Sequence, residues 1–211
     1  MKIAFIGCGN VGAPLADHLQ RLGHEVTLAT ASSASESVTR ALARNPGLVA
    51  RPAKAAVSAA EVVFLATPFA AIEAALGAVT SELSGKILVD CTNPVGPGMR
   101  HGLASAKSGA ERVQELAPGA KVIKAFNTYG YENFENSAYP AYNVKPAMLF
   151  CGNDAGAKQT VAPLVAALGW EPVDVGGLEQ ALHLEHMCLL WVRMVRAHGH
   201  SPHFAWAALR R

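Results

Sequence analysis

Apolar and polar positions along the chain repeat one unit: a short apolar run, a turn residue, then a longer stretch with helical spacing. Lys2–Ile6, Glu25–Ala29, Glu61–Ala66, Ile87–Asp90, Val122–Phe126 and Ala147–Cys151 are short, β-branched or aromatic, and bounded by Gly, Pro, Asn or Thr. Such runs predict buried strands. A thinner apolar signal at Val49–Pro52 predicts one more. Between them Val11–Leu22, Ser35–Arg44, Phe69–Leu83 and Gly109–Leu116 carry the helical pattern. Strand and helix in alternation predict an α/β fold, a doubly wound, mostly parallel sheet with helices on both faces.

The last sixty residues run through the pattern again. Asp154–Leu168 reads as a helix, Glu171–Val175 as a strand and Leu178–Ala197 as a long helix, with Pro163 marking a kink or a later start in the first. The long helix is apolar on more than one face, so it packs deep in the chain or forms a subunit contact. No Pro/Gly/Ser linker separates this part from the rest. The expectation is one domain over residues 1–211, with a core at 1–150 and a C-terminal α/β extension at 151–211. Two long stretches lack regular pattern: the Gly/Pro-rich Thr92–Ser108, and Thr128–Lys145 with Tyr129, Tyr131, Phe134, Tyr139 and Tyr142. Long loops in a compact domain are more often functional than idle.

Composition narrows the class. Hydrophobic residues make up 51% of the 211 and charged residues 16%, which argues against a disordered chain. Eighteen Lys+Arg against sixteen Asp+Glu leave +2, with no basic cluster, so neither nucleic acid nor a membrane surface is expected as partner. The longest uncharged apolar stretch, Val62–Ile72, is interrupted at Thr67-Pro68 and falls short of the ~20 residues a bilayer needs. The apolar segment at Ile3–Gly7 is too short for a secretory signal. Cys8, Cys91, Cys151 and Cys188 match neither zinc nor redox spacing. A cytoplasmic location with reduced thiols is the expectation.

Gly7-Cys8-Gly9-Asn10-Val11-Gly12 is a complete G-x-G-x-x-G that follows an apolar strand and opens a helix. In that context it predicts a Rossmann-like dinucleotide cradle. Gly7 permits the tight turn, Gly9 lets a pyrophosphate approach the backbone, and Gly12 lets helix and strand pack closely, with Asn10 and Val11 between them. S-adenosylmethionine enzymes carry a similar loop, but they and NAD enzymes hold the ribose with an acid after the second strand. Here Thr30, Ala31 and Ser32 occupy that turn, and the first acid beyond it is Glu36. Hydroxyls without a carboxylate accept a 2′-phosphate, so NADP(H) is favoured, with Arg40 or Arg44 placed to reach in from the next helix.

These motifs, with Leu65-Ala66-Thr67-Pro68, Asp90-Cys91-Thr92-Asn93-Pro94, Lys124-Ala125-Phe126-Asn127-Thr128, Asp174-Val175-Gly176-Gly177-Leu178 and Phe204–Arg210, resemble the NADPH:coenzyme F420 oxidoreductase family. That family includes the reductase domain of six-transmembrane metalloreductases. The likeness runs over nearly the whole chain. It implies an NADP-dependent oxidoreductase, a homodimer, and hydride exchange with coenzyme F420 or a flavin. Thr67, Pro68 and Asn93 would border the ribose and nicotinamide, while Pro94, Phe126, Asn127 and Thr128 would surround the small-molecule acceptor. The sequence departs from the family at Ala31-Ser32-Ser33, where the family often has Ser-Arg. Hydroxyisobutyrate-type dehydrogenases share the opening but carry a large helical domain for which sixty residues are too few.

Hydride transfer between two rings needs little acid–base chemistry, which suits the lack of a Ser/His/Asp arrangement or paired carboxylates. Lys124 is expected to reach a surface. His183 and His186 share a helical face, but no third and fourth ligand accompany them, so no metal is expected. A non-catalytic NADP(H)-binding sensor stays open as the alternative, and a carbonyl reductase is disfavoured by the lack of a proton donor.

Overall fold

Both faces of strand β1 (Lys2–Ile6) are buried, Ile3 and Phe5 joining one apolar cluster and Ala4 and Ile6 the other. Alternate side chains of a strand point to opposite faces, so a strand buried on both sides lies in the middle of a covered sheet. The computed structural model describes residues 1–30 and 35–211. After β1 come α1 (Gly12–Arg21), β2 (Glu25–Thr30), α2 (Glu36–Arg44), β3 (Val49–Pro52), α3 (Ala53–Ala59) and β4 (Val62–Leu65). The middle of the chain forms α4 (Ile72–Gly77), β5 (Ile87–Asp90), the two-residue strands β6 (Val95–Gly96) and β7 (Arg100–His101), α5 (Gly109–Leu116) and β8 (Lys121–Lys124). Then follow α6 (Glu132–Glu135), β9 (Ala147–Gly152), α7 (Ala155–Ala167), β10 (Glu171–Asp174) and α8 (Ala181–Val192).

Eight strands make one sheet in the order β10-β9-β8-β5-β4-β1-β2-β3, and β6 and β7 pair separately as an antiparallel hairpin. The sheet is Rossmann-like and mostly parallel. Order reverses at β1, which has β4 on one side and β2 on the other, and a crevice opens at the strand ends there. Register sets Ile6 opposite Leu65, Leu65 opposite Asp90 and Asp90 opposite Lys124. The loops leaving β1, β4, β5 and β8 therefore start level with one another. Phe5 stacks on Phe64 with centroids 4.7 Å apart, beneath that edge.

Several expectations change. β9 and β10 are parallel to each other, but β9 runs antiparallel to β8. Residues 125–146 hold only the one-turn α6, too little for a crossover helix, so the chain returns at the end it left. The single helix expected over Phe69–Leu83 is a 3-10 turn at Phe69–Ala71, then α4, then turns. Thr80 Oγ1 donates to the Leu76 carbonyl at 2.8 Å, a local bond that competes with helix continuation. Leu178–Ala197 likewise divides into a 3-10 turn, α8 and a five-residue π turn, Arg193–Ala197. α7 passes through Pro163 on its exposed side, because Val161, Leu164 and Val165 stay buried on the other. The irregular stretch Thr92–Ser108 contains the β6–β7 hairpin. All four cysteines are buried free thiols. No helix among the described residues is long and apolar enough to cross a membrane.

Gly12 shows how tightly the crevice is closed at its base. A Cβ there would stand 2.1 Å from the Gly7 carbonyl oxygen, against backbone that cannot rotate away. Gly12→Ala is expected to lower stability by about 2–3 kcal/mol. Gly9→Ala should cost well under 1 kcal/mol, since a Cβ at Gly9 meets nothing within 4 Å. Parallel urea melts of the two variants check the difference.

Candidate functional site

The glycine loop leaves β1 at the switch point. Gly7 takes φ +94°, and its α-carbon lies so close to β4 that a Cβ would be 2.7 Å from the Ala66 carbonyl carbon. Gly7 and Gly12 are thus required by the fold. Gly9 is not: its φ is not left-handed and the space at its Cβ position is open. No side chain caps the α1 amino end after Val11, and Asn10 beside it is exposed. The loop borders a cleft of about 170 Å³ with Ser37, Arg40, Arg44 and Glu135 among its walls.

Arg44 is committed elsewhere. Its guanidinium forks onto Glu135 at 2.8 and 2.7 Å and its Nε donates to Asp17 at 3.0 Å. Asp17 is buried, which raises its pKa, but bonds from Arg21, Arg44 and Asn45 hold it below its ordinary range. Among the described residues Arg40 carries only an exposed ion pair with Glu36 at 3.2 Å, so it is the arginine of α2 placed to serve a ligand. Thr30 closes β2, partly buried. Ala31 and Ser32 lie outside the described residues.

Across the crevice, Thr67 and Pro68 follow β4, Asn93 and Pro94 follow β5, and Phe126, Asn127 and Thr128 follow β8. The structure joins the last two segments. Asn93 Nδ2 donates to the Asn127 carbonyl at 2.9 Å, and Asn127 Nδ2 donates to Asn93 Oδ1 at 3.0 Å. Phe126 takes φ +57°, unusual for a bulky residue, and packs its ring into the core beside Phe64 and Phe134. The sequence placed Phe126 at the acceptor; its ring lies in the core, and its turn aims Asn127. Three buried polar atoms at these ends make no hydrogen bond among the described residues: Thr67 Oγ1, Asn127 Oδ1 and Thr128 Oγ1. Buried groups of this kind are normally paired, and Asn127 and Thr128 are themselves fully buried.

Beneath these loops lies a cluster that sequence reasoning missed. Lys124 does not reach a surface. It is fully buried, with Nζ 2.9 Å from both Asp90 Oδ2 and Glu185 Oε1 and 2.6 Å from the Thr92 carbonyl. Glu185 Oε2 accepts from His101 Nε2 and from the Gly109 amide, both at 2.9 Å. His101 Nδ1 accepts from the Leu103 and Ser105 amides, which fixes its proton on Nε2. Burial pushes the Glu185 pKa up, but the Lys124 charge and the Gly109 amide outweigh it and hold the carboxyl below its ordinary range. The signal was present in the sequence: Lys124, Asp90 and Glu185 each interrupt or end an apolar run. No group of three or more His, Cys, Asp or Glu among the described residues is placed to hold a metal ion, and His183 and His186 are exposed.

A doubly wound sheet with this glycine loop at its switch point defines a dinucleotide-binding oxidoreductase. Residues 2–94 match the family of NADP oxidoreductases that are coenzyme F420-dependent. The F420-dependent NADP reductase of Methanothermobacter marburgensis is 30% identical over 209 residues, 92% of each chain. Metalloreductase STEAP3 of Rattus norvegicus is 31% identical over 185 residues, 87% of this chain but 36% of that longer protein. A solved candidate F420-dependent NADP reductase from Arthrobacter sp. FB24 superposes with a TM-score of 0.83 at 32% identity, covering both chains fully. A hydroxyisobutyrate dehydrogenase of Mycobacterium tuberculosis, 20% identical with a TM-score of 0.65, shares the fold over 60% of its length. The chain belongs to the F420-dependent NADP oxidoreductase family and is an NADP-dependent oxidoreductase.

Losing one partner of the buried cluster leaves an uncompensated charge. Lys124→Met is expected to cost about 3–5 kcal/mol, leaving Asp90 and Glu185 facing each other. A group whose folded pKa is depressed stabilises above its unfolded value and loses that contribution as pH falls through the folded one. Stability of the natural chain should therefore decline below the ordinary glutamate value of 4.5. Glu185→Gln should lower stability at pH 7 and flatten that acid limb; denaturant titrations at pH 7, 5 and 4 measure both.

Proposed function

We propose that the chain transfers a hydride between NADP(H) and a planar redox acceptor, coenzyme F420 or a flavin. The observation that carries the cofactor half is Gly9, a glycine the fold does not need, facing open space at an uncapped helix end. A pyrophosphate against that backbone explains it. In this reading Gly7, Gly9, Asn10, Val11 and Gly12 hold the diphosphate, and Thr30, Ala31 and Ser32 with Arg40 receive the 2′-phosphate. Thr67, Pro68 and Asn93 border the ribose and nicotinamide. The dinucleotide supplies the hydride when bound. Pro94 and the Phe126–Thr128 turn then position the acceptor, with the buried Asn127 Oδ1 and Thr128 Oγ1, unpaired among the described residues, behind that wall. Steering two rings to about 3–3.5 Å and excluding water is the protein's share of the chemistry. The same reading takes residues 1–211 as one cytoplasmic domain and a homodimer; sedimentation velocity reports the dimer.

The direct test mixes the protein and NADPH with F420, FMN, FAD and ferric chelates and follows nicotinamide absorbance. Oxidation of NADPH by F420 or a flavin supports this acceptor, and none with any ring acceptor overturns it. Gly9→Val should fold normally and lose dinucleotide affinity at least about a hundredfold, because its side chain takes the pyrophosphate's place. Thr30→Asp should shift preference toward NADH in paired titrations. Asn127→Leu should lower turnover per folded molecule by roughly ten- to a hundredfold with NADPH affinity little changed. It should also melt lower, because Asn93 loses its partner.

A further inference from the structure

Outside the crevice, α8 and the β6–β7 hairpin enclose a second groove of about 440 Å³, with Arg100, Ser105, His186, Leu190 and Arg193 on its walls and His101 at its back. Among the described residues neither Arg100 nor Arg193 has an acidic partner, a state they share with Arg51 and Arg211, but these two alone stand together on the walls of one groove. The carboxylate behind the groove, Glu185, is buried and already bonded to Lys124, His101, Gly109 and Ala110.

Non-glycine backbone around the groove is held left-handed. Met99, next to Gly98 in the hairpin turn, takes φ 53°, and its carbonyl accepts from Arg193 Nε and Nη2 at 3.2 and 3.1 Å. The guanidinium is thereby aimed, while its remaining N–H groups have no partner among the described residues. Ala104 and Ser105 are also left-handed, at 51° and 58°, and Ser105 Oγ lies 2.9 Å from His186 Nε2. Left-handed non-glycine residues cluster where function over-determines the backbone. Arg193 also begins the π turn, an insertion frequent at functional sites.

We propose that this groove binds the phosphate or carboxylate groups of an anionic ligand, with Arg100 and Arg193 as the donors and Leu190 against its apolar stem. Resting on the hydride-transfer reading above, the anion is the charged tail of the acceptor. The hairpin starts at Asn93-Pro94, and the Gly102 amide closes its base on the Pro94 carbonyl at 2.5 Å. Arg100 is two residues beyond that closure, roughly 7 Å along the ribbon. A ring at Pro94 and Asn127 can therefore lay its tail along the hairpin. Planar guanidinium forks match phosphate and carboxylate geometry and hold them through paired bonds.

The test uses the full chain saturated with NADP⁺, so that the glycine loop is filled, and titrates inorganic pyrophosphate calorimetrically. The Arg100 side chain makes no hydrogen bond among the described residues, so Arg100→Gln removes charge while leaving the backbone pairing of the hairpin in place. The natural chain should bind pyrophosphate, Arg100→Gln at least about tenfold more weakly, and Arg100→Lys in between. No binding, or equal binding by Arg100→Gln, overturns the site. A second arm compares KM for a deazaflavin or flavin carrying an anionic tail with that for the tail-less ring. Arg100→Gln should shrink the preference for the charged tail about tenfold. Weakened pyrophosphate binding with an unchanged preference keeps the anion site and overturns the acceptor tail as its occupant. If no acceptor is turned over, the hydride-transfer reading fails while the pyrophosphate arm still decides the groove.

Discussion

An ammonium with no access to water must be surrounded by charge and hydrogen-bond acceptors, and meeting that demand for Lys124 fixes how half the molecule assembles. Stripping a charge of water costs several kcal/mol even after relaxation. Here the cost is offset by Asp90 on the neighbouring strand, by Glu185 on α8 and by the Thr92 carbonyl. Glu185 in turn needs donors, and takes them from the amino end of α5 and from His101 on the hairpin. Two strands, two helices and the hairpin are thereby tied to a single point. That point lies directly under the loops carrying Asn93, Pro94 and Asn127.

The two ends of the crevice are built by different means. At the β1 end the walls are backbone, brought so close at Gly7 and Gly12 that no side chain fits. Backbone amides and a helix end suit a diphosphate, which is the same in every dinucleotide. At the β5–β8 end the walls are side chains held by hydrogen bonds, Asn93 donating to the Asn127 backbone carbonyl and accepting from the Asn127 side chain. These bonds fix both side chains while leaving Asn127 Oδ1 unpaired among the described residues. Side chains fixed in this way suit the positioning of reacting groups, which backbone amides alone do not provide.

What the sequence makes legible follows from where each energy resides. Strand and loop positions come from burial and turn chemistry, which are local, so β1, β3 and β5 and the glycine loop stand where the pattern puts them. The reversal of β9 is a property of what joins it to β8, and a stretch without periodicity conceals that α6 is too short to cross the sheet. Phe69–Leu83 fails because a threonine hydroxyl competes for the helix backbone, an effect weaker than the apolar spacing that suggests a helix. The Lys124 cluster is hidden for another reason. Its partners lie 34 and 61 positions away in sequence, and a lone lysine in a strand is ordinarily read as a surface residue. Read together, three charges set in apolar runs must find one another.

The cluster also bears on the arginines of the second groove, since a buried negative excess is one reason to keep cations nearby. Asp90 and Glu185 against Lys124 leave about one negative charge, with His101 neutral in the tautomer its neighbours impose. The α5 amino end, which donates two amides to Glu185, supplies the equivalent of about half a positive charge in return. The residue is about half a charge, screened behind the His101 ring and saturated with hydrogen bonds. Two exposed guanidiniums exceed it severalfold, and among the described residues neither touches a carboxylate. Structural charge balance therefore accounts for a small part of their presence, and the larger part points outward, to an anion that the groove receives from solution.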